Sequence, residues 1–324
     1  MHLHIQTSVR LRSLGLALAI TAASLAGALS APALAQQPGQ QTFSSPRAAV
    51  SALVSALQAN DEQALLRILG PDARRIVSSG DPVEDAAGRA NFVDRYRQMH
   101  RLVREPDGTV NVYVGAQNWP LPIPLAHTGH AWYFDTEQGR REILYRRIGR
   151  NELSAIRVCE ELAAAEKEYR AMRGEYAAKI YSDPGRRNGL YWEAAAGEPR
   201  SPIGPLVGSA VAAGYAPTHS GTRTPYRGYY YHHLTSQGPA APGGAKSFLA
   251  DGKMTGGFAF VAFPAEYRSS GVMTFIVGTD GVVYQKDLGK DTAQIARAMK
   301  VYDPDPSWQK ASDEADTATE QPSR

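Results

Sequence analysis

Asp135 ends the apolar run Trp132-Tyr133-Phe134, and Glu142 and Glu152 flank the basic positions Arg146, Arg147 and Arg150. Two carboxyls held against arginines in a cleft are the equipment of a sugar-cleaving or lytic site. Asp135, Arg147, Arg150 and Glu152 are therefore the candidate catalytic set. The same residues also suit a salt-bridge layer between two parts of the fold, since the guanidinium fork matches a carboxylate with two bonds. Such networks perturb charges without catalysing anything, and the structural reading is favoured.

Other chemistries have weaker footing. His232 and His233 are adjacent in a strand-like run, so their rings point to opposite faces and do not converge on one ion. His127 and His130 bracket a turn near Asp135, without the spacing of a zinc site. Asp280 and Asp287, beside a tight turn, supply far fewer than the ~6–8 oxygens of a calcium shell. No Gly-x-Ser-x-Gly is present, and Cys159, the single cysteine, lies in a helical pattern among glutamates that disfavour its thiolate. No cofactor motif is present. The aromatic content offers a different role. Tyr226, Tyr229 and Tyr231 share one strand-like run with Trp192 upstream, and strand alternation predicts an exposed tyrosine face. These four are the candidate binding residues, because tyrosine and tryptophan anchor interfaces.

The elements that must carry these residues read as follows. Ser45-Pro46 starts a helix with Val50, Leu53, Val54 and Leu57 on one face, and Asp61 caps a second with Leu65, Ile68 and Leu69. A third follows Asp81-Pro82 to about His100. Strands are predicted at 109–114, 121–125 and 130–135, with a hairpin at Thr128-Gly129. A helix from Glu137 to Ile148 ends at Gly149, and a long one starts at Asn151 and reaches toward Ile180. Residues 182–225 are punctuated by Gly and Pro, with one helix at 206–213 and an anchor at Leu190, Tyr191 and Trp192. Strands return at 226–234, 246–250, 257–263, 272–277 and 282–286. A last helix, from Asp291 to about Tyr302, presents Ile295 and Met299.

The chain has 324 residues and a formal net charge of +3. Arg10 and Arg12 precede an uncharged Leu/Ala run from Leu14 to Leu29, and Ala33-Leu34-Ala35 closes it. This is the pattern of a secretory signal peptide cleaved after Ala35, and the apolar run falls short of the ~20 residues of a membrane span. The mature chain is then near neutral, without the basic cluster that nucleic acid demands. With one cysteine no intramolecular disulfide can form, so packing alone must hold the fold.

Longer segments carry a resemblance. Ser78-Ser79-Gly80-Asp81-Pro82, Trp119-Pro120-Leu121-Pro122-Ile123-Pro124-Leu125, 147–153, 225–230 and 271–277 resemble landmarks of an exported bacterial family, domain of unknown function 2950. The resemblance runs from about Phe43 to Trp308 and implies no activity. The helix 152–180, the 228–231 strand, Ala262-Phe263-Pro264 and Gly281-Val282-Val283 further resemble pilin and pseudopilin globular domains, which implies a pilin-like fold for the C-terminal half.

The expectation is an α+β protein with N-terminal helices packed on a small antiparallel sheet, then a long helix with a pilin-like antiparallel sheet. Its parts are a signal peptide (1–35), a flexible leader (36–43), an α+β domain (44–150), a second α+β domain (151–308) and a disordered tail (309–324). The expected role is that of a periplasmic or secreted, non-catalytic envelope protein binding another protein or a cell-wall component. A hydrolase or small-ligand binder with its site at the domain junction is the alternative.

Overall fold

Four of the seven described α-helices begin where a short polar side chain takes up a free backbone N–H. The computed structural model describes residues 36–195, 197–215 and 224–311; residues 1–35, expected as a signal peptide, and residues 312–324 lie outside them. Ser45 caps α1 (Pro46–Gln58) and Asp61 caps α2 (Glu62–Leu69). A short α3 (Arg74–Val77) follows, and Asp81 caps α4 (Pro82–Gln98). The first sheet comprises β1 (His100–Arg104), β2 (Val110–Val114), β3 (Trp119–Pro120), β4 (Leu125–Thr128) and β5 (Ala131–Phe134). Its order is β1-β2-β4-β5, with β3 also on β2. Alternation turns Val110, Val112 and Val114 inward, where they meet Val50, Leu53, Leu65 and Phe134 in one core. The hairpin at Thr128-Gly129 is present, with Thr128 opposite Ala131.

Two expectations for this half need correction. The third helix stops at Gln98, and His100 onward pairs with β2 as an edge strand. The segment 36–43 is not free: Gln40 is buried and its amide donates to the carbonyls of Ile68 (3.1 Å) and Phe134 (2.7 Å), while Phe43 bridges Trp132. A two-donor side chain satisfies two carbonyls that burial would otherwise orphan.

Asp135 caps α5 (Thr136–Arg173), a single helix of 38 residues. The expected break at Gly149 is absent. One helical glycine costs about 1 kcal/mol, whereas Ala155, Ile156, Cys159 and Leu162 all bury just beyond it. Asn151, expected as a cap, instead sends its amide to the Ser270 carbonyl (3.0 Å). The helix ends at Gly174, left-handed at φ 77°, short of Ile180.

After α6 (Gly204–Ala212) come β6 (Tyr229–Leu234), β7 (Ser236–Gln237), β8 (Lys246–Ser247), β9 (Leu249–Ala250), β10 (Lys253–Met254), β11 (Ala259–Pro264), β12 (Thr274–Gly278) and β13 (Val283–Lys286). The chain closes with α7 (Thr292–Ala298), β14 (Val301–Tyr302) and β15 (Gln309–Lys310). The main sheet runs β15-β13-β12-β11-β6, all antiparallel, with β11 and β12 buried on both faces. One face meets α5, where His233 contacts Glu166. The other meets α7, where His232 contacts the Ala296 carbonyl. Leu190, Trp192 and Ile203 of the Gly/Pro-rich stretch complete this second core.

Three further corrections belong here. The strand expected from Tyr226 begins only at Tyr229, because Arg227 (φ 48°) and Gly228 (φ 76°) form a tight turn bridged by Tyr226 and Tyr229. The last helix buries Thr292 and Ala296 and leaves Ile295 exposed; Val301–Tyr302 are extended and pair with β7 in parallel. The segment expected as tail begins as strand, since Gln309 and Lys310 pair with β13. The architecture is α+β, with two hydrophobic cores threaded by one helix.

Candidate functional site: a polar clasp and the groove beside it

Asp81 sits where an N-cap belongs, with Pro82 in the first turn of α4. One carboxylate oxygen accepts from the Glu84 amide (3.1 Å); the other accepts from the Tyr215 hydroxyl (2.8 Å) and the Gly228 amide (2.8 Å). The side chain is wholly buried. Ser79 lies under it, its hydroxyl accepting from the Asp81 amide and its own amide donating to Asp85 (2.8 Å). Gly228 has no room for a side chain, because a Cβ would press on the Asn151 amide and on Ser270. One turn before Asn151, the Arg147 guanidinium donates to the carbonyls of Arg75 (2.6 Å) and Ile76. Glu152 accepts from the amides of Val272 (2.8 Å) and Met273 (2.9 Å), and the Ser269 hydroxyl reaches the carbonyls of Arg75 and Ser78, each at 3.2 Å.

The electrostatics follow from burial. Desolvation pushes the Glu84 carboxyl above its ordinary range, and neighbouring Asp81 pushes it further. Asp85 and Glu152 are raised for the same first reason, each partly offset by the amides it accepts from. Desolvation lowers the Arg147 guanidinium, against the pull of Asp85 and Glu84. One Glu84 oxygen is buried without a hydrogen-bond partner.

The segments 78–82, 147–153, 225–230 and 271–277 thus meet at one place, although they are far apart in the chain. The fifth, 119–125, meets α5 at Gly139, where a Cβ would overlap the Pro122 carbonyl. A family model described as "Protein of unknown function (DUF2950)" matches residues 40–311. The chain belongs to the DUF2950 family. No curated protein and no solved structure matches it, so the expected pilin-like fold finds no structural counterpart.

In this DUF2950 member the predicted catalytic set is divided. Arg147 and Glu152 join the clasp, and Arg150 stands exposed at its rim. Asp135 caps α5 through the Gln138 amide, roughly 18 Å back along the helix from Arg147. Asp81, Asp85 and Glu152 are engaged by backbone donors, which makes the clasp a fastening between segments. Sequence reading missed Asp81, Glu84, Asp85 and Tyr215 as site residues. The Asp81 cap was legible, but nothing signalled that its second oxygen serves residues 215 and 228.

The predicted tyrosine face is also corrected. Tyr229 is fully buried and donates to the Met273 carbonyl (2.9 Å); Trp192 is buried and donates to the Pro199 carbonyl (3.2 Å). Tyr231 is half-buried, with its hydroxyl sealed and unpartnered. Alternation operates as expected, but α5 covers one face of β6 and α7 approaches the other. Tyr226 alone of the four reaches a concave surface. That surface is a groove of about 530 Å³ between α5 and α6, lined by Arg157, Val158, Glu161 and Glu168 on one wall and by Ile203 and Leu206 on the other. Tyr226 and Arg227 close one end.

The remaining candidates have local partners. His127 faces the Gly129 carbonyl and packs on Trp132; His232 faces the carbonyls of His233 and Ala296. Asp280 accepts from Val282 and Tyr302, and Asp287 from Tyr267 and Gly289. Among the described residues, no three His, Cys, Asp or Glu side chains are grouped to hold a metal ion, and no helix is long and apolar enough to cross a membrane.

Proposed function

We propose that this protein is an exported, non-catalytic component of the cell envelope, released from its leader after Ala35, which binds a protein or cell-wall ligand in the groove between α5 and α6. The observation that carries the reading is the groove itself. It is concave and open, and its walls mix apolar and charged side chains as ligand sites do. The hydrolase alternative has less support, because its acids are separated along α5 or held by internal amides.

The test is to titrate the purified protein with a soluble cell-wall digest and to chromatograph the digest before and after. Saturable binding with an unchanged digest, lost in Leu206→Arg, is the expected result. New product peaks would assign an enzyme. Fractionation with N-terminal sequencing tests export, the expected first residue being Gln36.

A further inference from the structure

The charges of the groove are arranged in order. Gly228 packs against Asn151, which sets Arg227 beside the N-terminal end of the groove, near Arg157. Along the same helix Glu161 stands one turn on, within the groove, and Glu168 lies at the other end. Among the described residues none of these four side chains enters an ion pair. Arg157 and Glu161 are four apart on a helix, the spacing at which such residues pair, and they stay apart. Arg227 is held at a positive φ of 48°, an uncommon state for a residue with a side chain, and its guanidinium lies 5.7 Å from the centre of the Tyr226 ring. Between the two ends Val158 and Ala165 add apolar surface to that of Ile203 and Leu206, with Glu161 among them.

From this order we infer that the groove takes a short peptide with free ends, lying extended along α5, its terminal carboxylate on Arg157 and Arg227 and its amino group on Glu168. The inference rests on the groove being the binding site proposed above. From Arg157 to Glu168 the helix advances roughly 16 Å, the span of about four or five extended residues. Arginine suits a carboxylate because its fork donates two parallel bonds. A polyanion is disfavoured by the two glutamates, and a neutral glycan would leave all four charges unanswered. The apolar walls call for at least one aliphatic side chain in the middle of the peptide.

The probe is the synthetic tetrapeptide alanyl-leucyl-alanyl-alanine, used with free ends, N-acetylated and C-amidated, in calorimetric titrations of the purified protein. One-to-one binding of the free form is expected, weakened about tenfold by blocking either end. Arg157→Gln should weaken the free peptide about as much and the C-amidated one no further; Glu168→Gln should do the same with the N-acetylated form. Both positions are exposed, so the variants keep the fold. Equal binding of blocked and free peptides overturns the inference. Failure of the free peptide, while a cell-wall digest still binds in a Leu206-dependent way, overturns the inference and spares the proposed function. If neither binds, both fall.

Discussion

At the scale of single residues the clasp makes the sharpest demands. Asp81 caps α4 and also satisfies Tyr215 and Gly228, so removing it orphans two donors from another part of the chain. Asp81→Ala is expected to cost about 2–4 kcal/mol, and Tyr215→Phe about 1–2 kcal/mol, both read from urea unfolding. Glu84 behaves in the opposite sense. Its folded-state pKa is raised, so the stability it contributes is complete at low pH and declines as pH rises through that raised value. Glu84→Gln carries no charge and escapes the decline. Its stability relative to the parent should therefore grow as pH rises above the ordinary glutamate value of about 4.3, and a difference that stays constant from there upward would show that the carboxyl is not desolvated. The capping role of Asp81 was written in Asp81-Pro82. Its long-range partners were not, because a carboxylate oxygen carries no trace of which distant amide it will meet.

At the scale of elements, α5 shows what local pattern can and cannot tell. Gly149 and Asn151 together look like a stop and a start, and both lie inside one helix. Propensity lost to packing: a cost of about 1 kcal/mol faced a row of buried side chains worth about 1.5–3 kcal/mol each. Since a Cβ at Gly149 meets nothing within 4 Å, Gly149→Ala should raise stability by about 0.5–1 kcal/mol, seen as a higher midpoint on heating. Gly139→Ala, whose methyl would collide with Pro122, should lower it instead. Strands were legible to within a few residues wherever alternation was strong, as in Val110–Val114. The β6 face was misjudged for a reason of the next scale up: alternation says which residues share a side of a sheet, and only the tertiary fold says what covers it.

At the scale of the whole molecule, two cores are tied by one uninterrupted helix and by the clasp that straddles it. Neither half is expected to unfold alone. Trp119 and Trp132 report on the first core and Trp192 and Trp308 on the second. Single-tryptophan variants of each half should give coincident denaturation curves. A fragment ending at residue 150, which cuts α5, should show no cooperative transition. Separated midpoints, or a folded fragment, would restore two independent domains. The two cores follow one another in the order of elements along the chain; their fastening could not be read there, since it depends on contacts between residues such as Ser269 and Arg75.

Cys159 is the only thiol in the chain, and it has no exposed surface; burial, with Glu160 adding to it, drives its ionisation far out of the neutral range. The native molecule is therefore mute toward thiol reagents, and it speaks only when α5 leaves the sheet. The rate at which a disulfide dye colours a solution of this protein becomes a clock for the opening of its interior, with no label to introduce and no second thiol to confuse the count.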